Sequence, residues 1–261
     1  MDSVVYKYFD FDENFKKTLE NGYLWFSYPH TFNDPFEFRL QVKKDLRDEE
    51  ILEFFELYKK HAHNSKEEIG DDFNKVLFMY RQNPDQFIDY FLKPFIAHVD
   101  KFGVCCFSKT NKNILMWSHY ANKHKGLVLE FKEKLLDKSI YEMNDSINMT
   151  VMDQISYSNE FPTIKISSSL LNVSEEIRKV VFTKSKDWKY EQEIRIISPR
   201  NGEHLFDRNC LNAVYFGHKF SDENKKEIAF LLNNYFPNQN IKVNEMKIND
   251  RTYSLRLNNE A

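Results

Sequence analysis

Hydrophobic and polar positions along the chain change period several times, and each change marks an element. Val4–Phe9 and Tyr23–Ser27 are short runs rich in Val, Tyr, Leu, Trp and Phe and are predicted as strands. Between them Phe11, Phe15 and Leu19 recur every four residues. That spacing predicts a helix over Asp12–Asn21, capped by Asp12 and closed by Gly22. Residues 48–101 are almost wholly helical in pattern: Ile51, Leu52, Phe55 and Leu57 mark one helix, and Phe73, Val76, Leu77 and Tyr80 a second. Pro84 starts a third, with Phe87, Phe91, Phe95 and Ile96. Beyond them Gly103–Ser108 and Gly126–Phe131 read as buried strands, flanking an Asn113-capped helix over Ile114–Lys123. Met143–Asp153 has no clear period, and Gln154–Tyr157 reads as a strand. Ser174–Thr183 reads as a helix with Ser174 at a capping position. Further on, Leu211–Gly217 is a strand, Ser221 caps a helix over Asp222–Tyr235, and Ile241–Ile248 with Tyr253–Leu257 closes as a hairpin through Asn249-Asp250.

The segment Tyr190–Ile197 alternates most sharply. As a strand it puts Tyr190, Ile194 and Ile196 on one face, and Glu191, Glu193 and Arg195 on the other. Two carboxylates and a guanidinium in a row fit a solvated sheet face, which is the commoner placement of charged residues. The less common alternative is an active-site strand, in which Arg195 holds one carboxylate and surroundings make the other reactive. Strand-helix-strand, a helical block, then mixed elements give an α+β fold, since regular β-α-β alternation is lost. The expectation is one domain over residues 1–261 with a helical insertion at 48–101.

Composition narrows the function classes. The 261 residues are 41% hydrophobic, with 24 Phe and 14 Tyr, ample for a packed core. Net charge is −3 without a dominant basic block, so nucleic-acid binding is not indicated, although a local basic site stays open. Only six Gly occur, and neither G-x-G-x-x-G nor G-x-x-x-x-G-K-[ST] is present; any nucleotide is bound without those devices. Three Cys form no disulfide framework and fit a reducing, cytoplasmic setting. No signal peptide and no membrane-length apolar run is visible, so no membrane partner is expected.

Several side chains carry two readings. Tyr28–Glu37 crowds Ser27, His30, Thr31, Asn33, Asp34 and Glu37 among aromatic residues, as a binding loop does; Asn33 and Asp34 also suit an ordinary turn. His119 and His124 are five apart and do not share a helical face, and His61 with His63 lacks a second ligand pair, so no metal is expected. Within Met116–Ala121, His119 suits packing or, beside Trp117, Ser118 and Tyr120, a ligand lining. Cys106 beside Ser108 in an apolar strand suits an inert thiol better than a nucleophile.

Four segments resemble a bacterial family of unknown function: Tyr6-Lys7-Tyr8; Leu24–Ser27 leading into Phe32-Asn33-Asp34-Pro35-Phe36-Glu37; Cys106-Phe107-Ser108 with Met116–Ala121; and Trp188-Lys189-Tyr190-Glu191-Gln192-Glu193-Ile194-Arg195. More distantly the plan resembles the ADP-ribosyltransferase superfamily. That resemblance implies a mixed or antiparallel central sheet and NAD as substrate. It implies Lys7 or Tyr6 at the nucleotide, Ser27 at the nicotinamide ribose and Glu193 as the catalytic glutamate, with Glu191 two before it. Lys7 departs from the Arg or His usual at its position, and Asn33-Asp34 and the Trp117–Tyr120 helix have no counterpart there. With those residues, Asn33, Asp34, Trp117, His119, Tyr120 and Arg195 complete the candidate contacts to a small-molecule nucleotide, and Tyr28, Phe32 and Trp117 offer a stacking surface. The acceptor is left open between protein, nucleic acid and water. A toxin or phage-defence effector is one expectation. A non-catalytic ligand- or protein-binding module using Tyr28–Phe38 is the alternative, and a metal-dependent hydrolase built on Asp34, Glu37 and His119 ranks last.

Overall fold

A computed structural model describes residues 3–61, 72–144, 150–237 and 239–258. In chain order the elements are β1 (Val4–Phe9), α1 (Glu13–Asn21), β2 (Tyr23–Phe26), β3 (Gln41–Val42), α2 (Asp48–His61), α3 (Phe73–Gln82) and α4 (Pro84–Val99). Next come β4 (Gly103–Ser108), α5 (Ile114–Tyr120), β5 (Leu127–Lys132), α6 (Glu133–Met143), β6 (Val151–Gln154), β7 (Ser156–Ser158) and β8 (Thr163–Ile164). Then follow α7 (Ser168–Leu171), α8 (Val173–Val181), β9 (Thr183–Ser185), β10 (Glu193–Ser198) and β11 (Gly202–Leu205). The last are β12 (Leu211–Phe216), α9 (Asp222–Tyr235), β13 (Lys242–Ile248) and β14 (Leu255–Leu257). They divide between two compact units, the first made of Met1–Thr31, Phe102–Ile155 and Lys186–Ala261, the second of Phe32–Lys101 and Ser156–Ser185.

The first unit is α+β and holds a mixed eight-stranded sheet in the order β14-β13-β12-β5-β1-β4-β10-β6. Only the β12–β13 pair is parallel among these described strands. One face carries Val5, Leu127, Leu129, Phe131, Cys105, Phe107, Ile194 and Ile196. It buries them against Phe15 and Leu19 of α1, Leu136 and Ile140 of α6, and Ile228 and Leu231 of α9. Each such side chain contributes about 1.5–3 kcal/mol when fully buried. The other face packs Val128, Ala213 and Tyr215 against Trp117 and Ala121.

The caps explain why the helices start where they do. Asp12 accepts from the Phe15 amide at 2.8 Å, and Gly22 ends α1 at φ 70. Ser221 caps α9 through the Asn224 amide. By contrast α8 begins at Val173 after Asn172, so Ser174 lies inside the helix and does not cap it. Gln154–Tyr157 is not one strand: Gln154 ends β6 against β10, whereas Ser156 opens β7 against β9. Within Met143–Asp153, which has no clear period, Met143 ends α6 and Val151–Asp153 belongs to β6. His63 lies outside the described residues.

The second unit contains α2, α3 and α4 together with α7, α8 and two small parallel pairs, β3–β8 and β7–β9. Its core is aromatic, with Phe54 meeting Phe87 at 5.7 Å and Phe91 at 5.0 Å. Tyr80 ties α3 to the chain before α2 by donating to the Lys44 carbonyl at 2.6 Å.

β11 pairs with β2, and it buries His204 completely. The Gly202 carbonyl can only accept, so Nδ1 of His204 carries the proton (3.2 Å), and Ser198 donates to Nε2 at 2.8 Å. Burial, with the nearby Arg200 charge, lowers the pKa of this imidazole below its ordinary value. The unfolded chain therefore takes up this proton at a higher pH than the folded chain does, and stability falls as pH drops below about 6.5. His124 and His218 shift the same way, again chiefly through burial. Urea midpoints are expected to fall between pH 7.5 and pH 5, and His204→Asn is expected to flatten that dependence. An unchanged slope in His204→Asn would assign it to the other two imidazoles.

Candidate functional site

The central sheet parts between β1 and β4. Those strands share only the Tyr6–Ser108 pair, while β1 stays paired with β5 along its whole length. Further along β4, the partner is Ser27 at the end of β2, which exchanges two backbone bonds of 2.9 Å with Val104. The Cys106 carbonyl between these two pairings is taken by the Lys7 ammonium at 3.1 Å. Lys7 lies over the rings of Phe9 and Phe107, 5.6 and 5.3 Å from their centres. Beside this parting a cleft of ≈ 550 Å³ lies among β1, α1 and β2, and its lining includes Lys7, Asn14, Lys17, Trp25, Ser27 and Tyr120. Such a volume suits a drug-sized ligand.

Behind the cleft sits a carboxylate. The Tyr120 hydroxyl donates to Glu191 Oε1 at 2.6 Å. Tyr120 is held there by its helix. Asn113 caps α5 through the Leu115 and Met116 amides, and its own amide nitrogen donates to the Tyr190 carbonyl at 3.0 Å. Trp117 is fully buried, meets Tyr8 edge-on and donates from Nε1 to the Asn111 carbonyl at 2.6 Å.

The alternating strand expected from Tyr190 onward begins only at Glu193. Lys186–Glu191 forms a 3-10 helix, and Gln192 turns the chain with φ 47. The carbonyls of Tyr190 and Glu191 go to side chains and not to a strand partner, and the β4 register resumes only at Gln192. Asn113 holds that of Tyr190, Ser108 Oγ that of Glu191 at 2.6 Å, and the Lys109 amide that of Gln192 at 3.0 Å. Glu191 thus reaches the site from a turn, whereas Glu193 and Arg195 do share a strand face.

That face is not solvated, because every residue of β10 is buried. Arg195 Nε donates to Glu193 Oε1 at 2.6 Å and Nη2 to Oε2 at 3.2 Å, a two-bond clamp between fully buried groups. Glu193 stands in one cross-strand row with Ser108, Tyr6 and Glu130. The far end of this row is a polar network that the sequence reading missed. Glu130 accepts from Tyr215 at 2.6 Å and from Asn212, and burial together with Glu130 pushes the Tyr6 hydroxyl up to about 12. The signal was a lone charge inside Leu127-Val128-Leu129-Glu130-Phe131, because buried charges are retained only with partners.

The candidate residues therefore separate. Lys7, Ser27 and Tyr120 meet in one cleft, with Glu191 bonded to Tyr120. Tyr6 faces the Glu130 network, and Trp117 is core. His119 is exposed, its Nδ1 3.2 Å from the Tyr190 hydroxyl. Asn33 and Asp34 belong to the second unit, where Asp34 is buried and accepts from the Phe36 amide at 2.9 Å. Glu37 of the same loop forms a buried ion pair with Lys184 at 3.1 Å, a pairing between distant parts of the chain that no local pattern records. The Cys106 thiol is raised well above its ordinary value, first by burial and then by Glu193, in keeping with an inert role. Among the described residues no group of three or more His, Cys, Asp or Glu side chains stands ready for a metal, and no helix is long and apolar enough to cross a membrane.

Residues 116–196 match a family described as a protein of unknown function, DUF2971. The match takes in α5 from Met116 onward, the Glu191 turn and the Glu193–Arg195 clamp, and it leaves out Lys7, Ser27, Asn33 and Asp34. No curated protein and no solved structure matches the chain.

Proposed function

We propose that the chain is an ADP-ribosyltransferase-like enzyme that binds NAD in the cleft lined by Lys7, Ser27 and Tyr120 and cleaves its nicotinamide–ribose bond. The observation that carries this reading is the convergence of Lys7, Ser27 and Tyr120 on one cleft, with the Glu191 carboxylate hydrogen-bonded to Tyr120. Breaking the glycosidic bond builds positive charge on the ribose, as in glycoside cleavage. A carboxylate held in a dry setting stabilises that charge without reorganising, and such a contribution is often the largest in catalysis. Glu191, which does not itself line the cleft, takes this role through the Tyr120 hydroxyl bonded to it. Ser27 supports the ribose, and Lys7 offers a cation to a phosphate. Glu193 is the positioning carboxylate, since Arg195 already occupies both its oxygens. Sustained NAD consumption would make the protein a toxin or a phage-defence effector.

The second reading, a binding module without turnover, draws on the burial of both Glu191 and Glu193. Nicotinamide release from NAD, assayed with cell lysate as a source of acceptors, separates the two. Wild type is expected to release nicotinamide, and Glu191→Gln, which preserves shape and the Tyr120 bond, is expected to lose about 10²-fold or more, the scale of a lost electrostatic contact. Tyr120→Phe is expected to fall less. Equal release by wild type and a folded Glu191→Gln would remove Glu191 from the chemistry. No release from wild type under these conditions would favour the binding module.

A further inference from the structure

A second cleft, of ≈ 570 Å³, is lined by Ser118, His124, His218, Asp250, Thr252 and Ser254 among others, and shares no lining residue with the first. At its wall two imidazoles stand side by side. The ring centres of His124 and His218 are 5.1 Å apart and tilted by 54°. Two imidazoles bound to one tetrahedral ion, with metal–nitrogen bonds of about 2.0–2.1 Å, place their ring centres about 5 Å apart.

The proton positions on His124 follow from its neighbours. Ser118 Oγ lies 2.9 Å from the Ile114 carbonyl, which can only accept, so the hydroxyl proton goes there. Nε2 of His124, 3.1 Å from the same oxygen, then supplies the proton of that contact. Nδ1 is left as a lone pair, and it is one of the few buried polar atoms among the described residues without a hydrogen-bond partner. An unmet buried acceptor is costly to keep, because its desolvation is not repaid. A histidine whose other nitrogen donates to a fixed oxygen is the arrangement that orients metal ligands.

The backbone is arranged around this ring at some cost. Asn122, Lys123 and His124 are three consecutive non-glycine residues with positive φ, at 45, 54 and 69. Such conformations are uncommon and collect where a site over-determines them. The His124 amide donates to the Trp117 carbonyl at 3.1 Å, and the His124 carbonyl accepts from the Lys219 amide at 3.1 Å. A Cβ on Gly217 would stand 2.2 Å from that carbonyl, so the glycine lets the His218 turn approach. Trp117 lies parallel to the His124 ring, at 9°.

We propose that His124 and His218 form a binding site for one late first-row divalent transition ion, of the Zn²⁺ and Cu²⁺ class, with its remaining positions open to the second cleft. Imidazole suits these ions, and Cu²⁺ is expected to bind more tightly than Zn²⁺. The site is independent of the NAD reading.

The test is titration of metal-free, full-length protein with Cu²⁺, followed by electron paramagnetic resonance, and with Zn²⁺, followed by calorimetry. One equivalent is expected, with nitrogen hyperfine structure from two imidazoles. His124→Ala and His218→Ala should each weaken it at least tenfold, and Ser118→Ala, which frees the His124 tautomer, about tenfold. His119→Ala should leave it unchanged. Folding of each variant is checked by circular dichroism. Should the histidine variants unfold, Ser118→Ala set against His119→Ala still decides. Equal affinity in wild type and Ser118→Ala, a signal lost with His119, or binding retained in a folded His124→Ala, His218→Ala variant would overturn the proposal and leave adventitious surface binding.

Discussion

Arg195→Met is expected to destabilise the protein by about 3–5 kcal/mol, because it takes from a buried carboxylate the cation that clamps it. Arg195 is fully buried and Glu193 nearly so, and the two make both bonds of the clamp with each other. Removing the cation leaves Glu193 to be protonated or hydrated inside the fold. Removing both charges, as in Glu193→Leu with Arg195→Met, is expected to recover a large part of the loss, since a buried pair replaced by apolar groups is often nearly neutral. Urea unfolding of the two single variants and the double variant measures this. A double variant as unstable as the sum of the singles would show that each residue acts through its other neighbours and not through the clamp. The same physics makes Glu193→Gln a poor catalytic probe: lost turnover there would confound a missing charge with a loosened strand. Glu191→Gln avoids this, because its Tyr120 partner can donate to an amide oxygen equally well.

Trp117→Ala carries the other large effect, about 3–5 kcal/mol, the usual cost of deleting a buried aromatic. It removes the edge contact to Tyr8 and the bond to the Asn111 carbonyl, and it opens a cavity under α5. Trp117→Phe should cost less, since it keeps most of the volume. The functional consequence is separable. Tyr120 rides on the same short helix, so a shift of α5 moves its hydroxyl away from Glu191. Nicotinamide release by Trp117→Phe is therefore expected to fall by more than its stability loss accounts for when assayed well below its melting temperature. Unchanged release in a clearly destabilised Trp117→Phe would show that α5 does not position the site.

The helices were legible where a cap and a period coincide. Asp12, Asn113 and Ser221 each precede a helix that starts at the next residue, and each accepts the amide bonds its spacing promised. β1, β4 and β12 were legible as short apolar runs. β3, β8 and β11 were not, because two to four residues with mixed polarity carry no period, and their pairing partners lie far along the chain. The Glu191 turn was misread for a related reason. The sequence alternates through it, but the Asn113 and Ser108 side chains claim its carbonyls from elsewhere, and no local pattern records that.

The sequence by itself determined which residues could carry chemistry: the Glu191, Glu193 and Arg195 charges, the Trp117–Tyr120 helix and the absence of glycine-rich phosphate loops. Tertiary structure decided which of them meet. It set Lys7, Ser27 and Tyr120 around one cleft, closed Arg195 on Glu193, and brought His218 beside His124. The physical reason is that periodicity reports only which face of its own element a side chain takes. Burial and partnership depend on the elements packed against that face, and those arrive from distant parts of the chain.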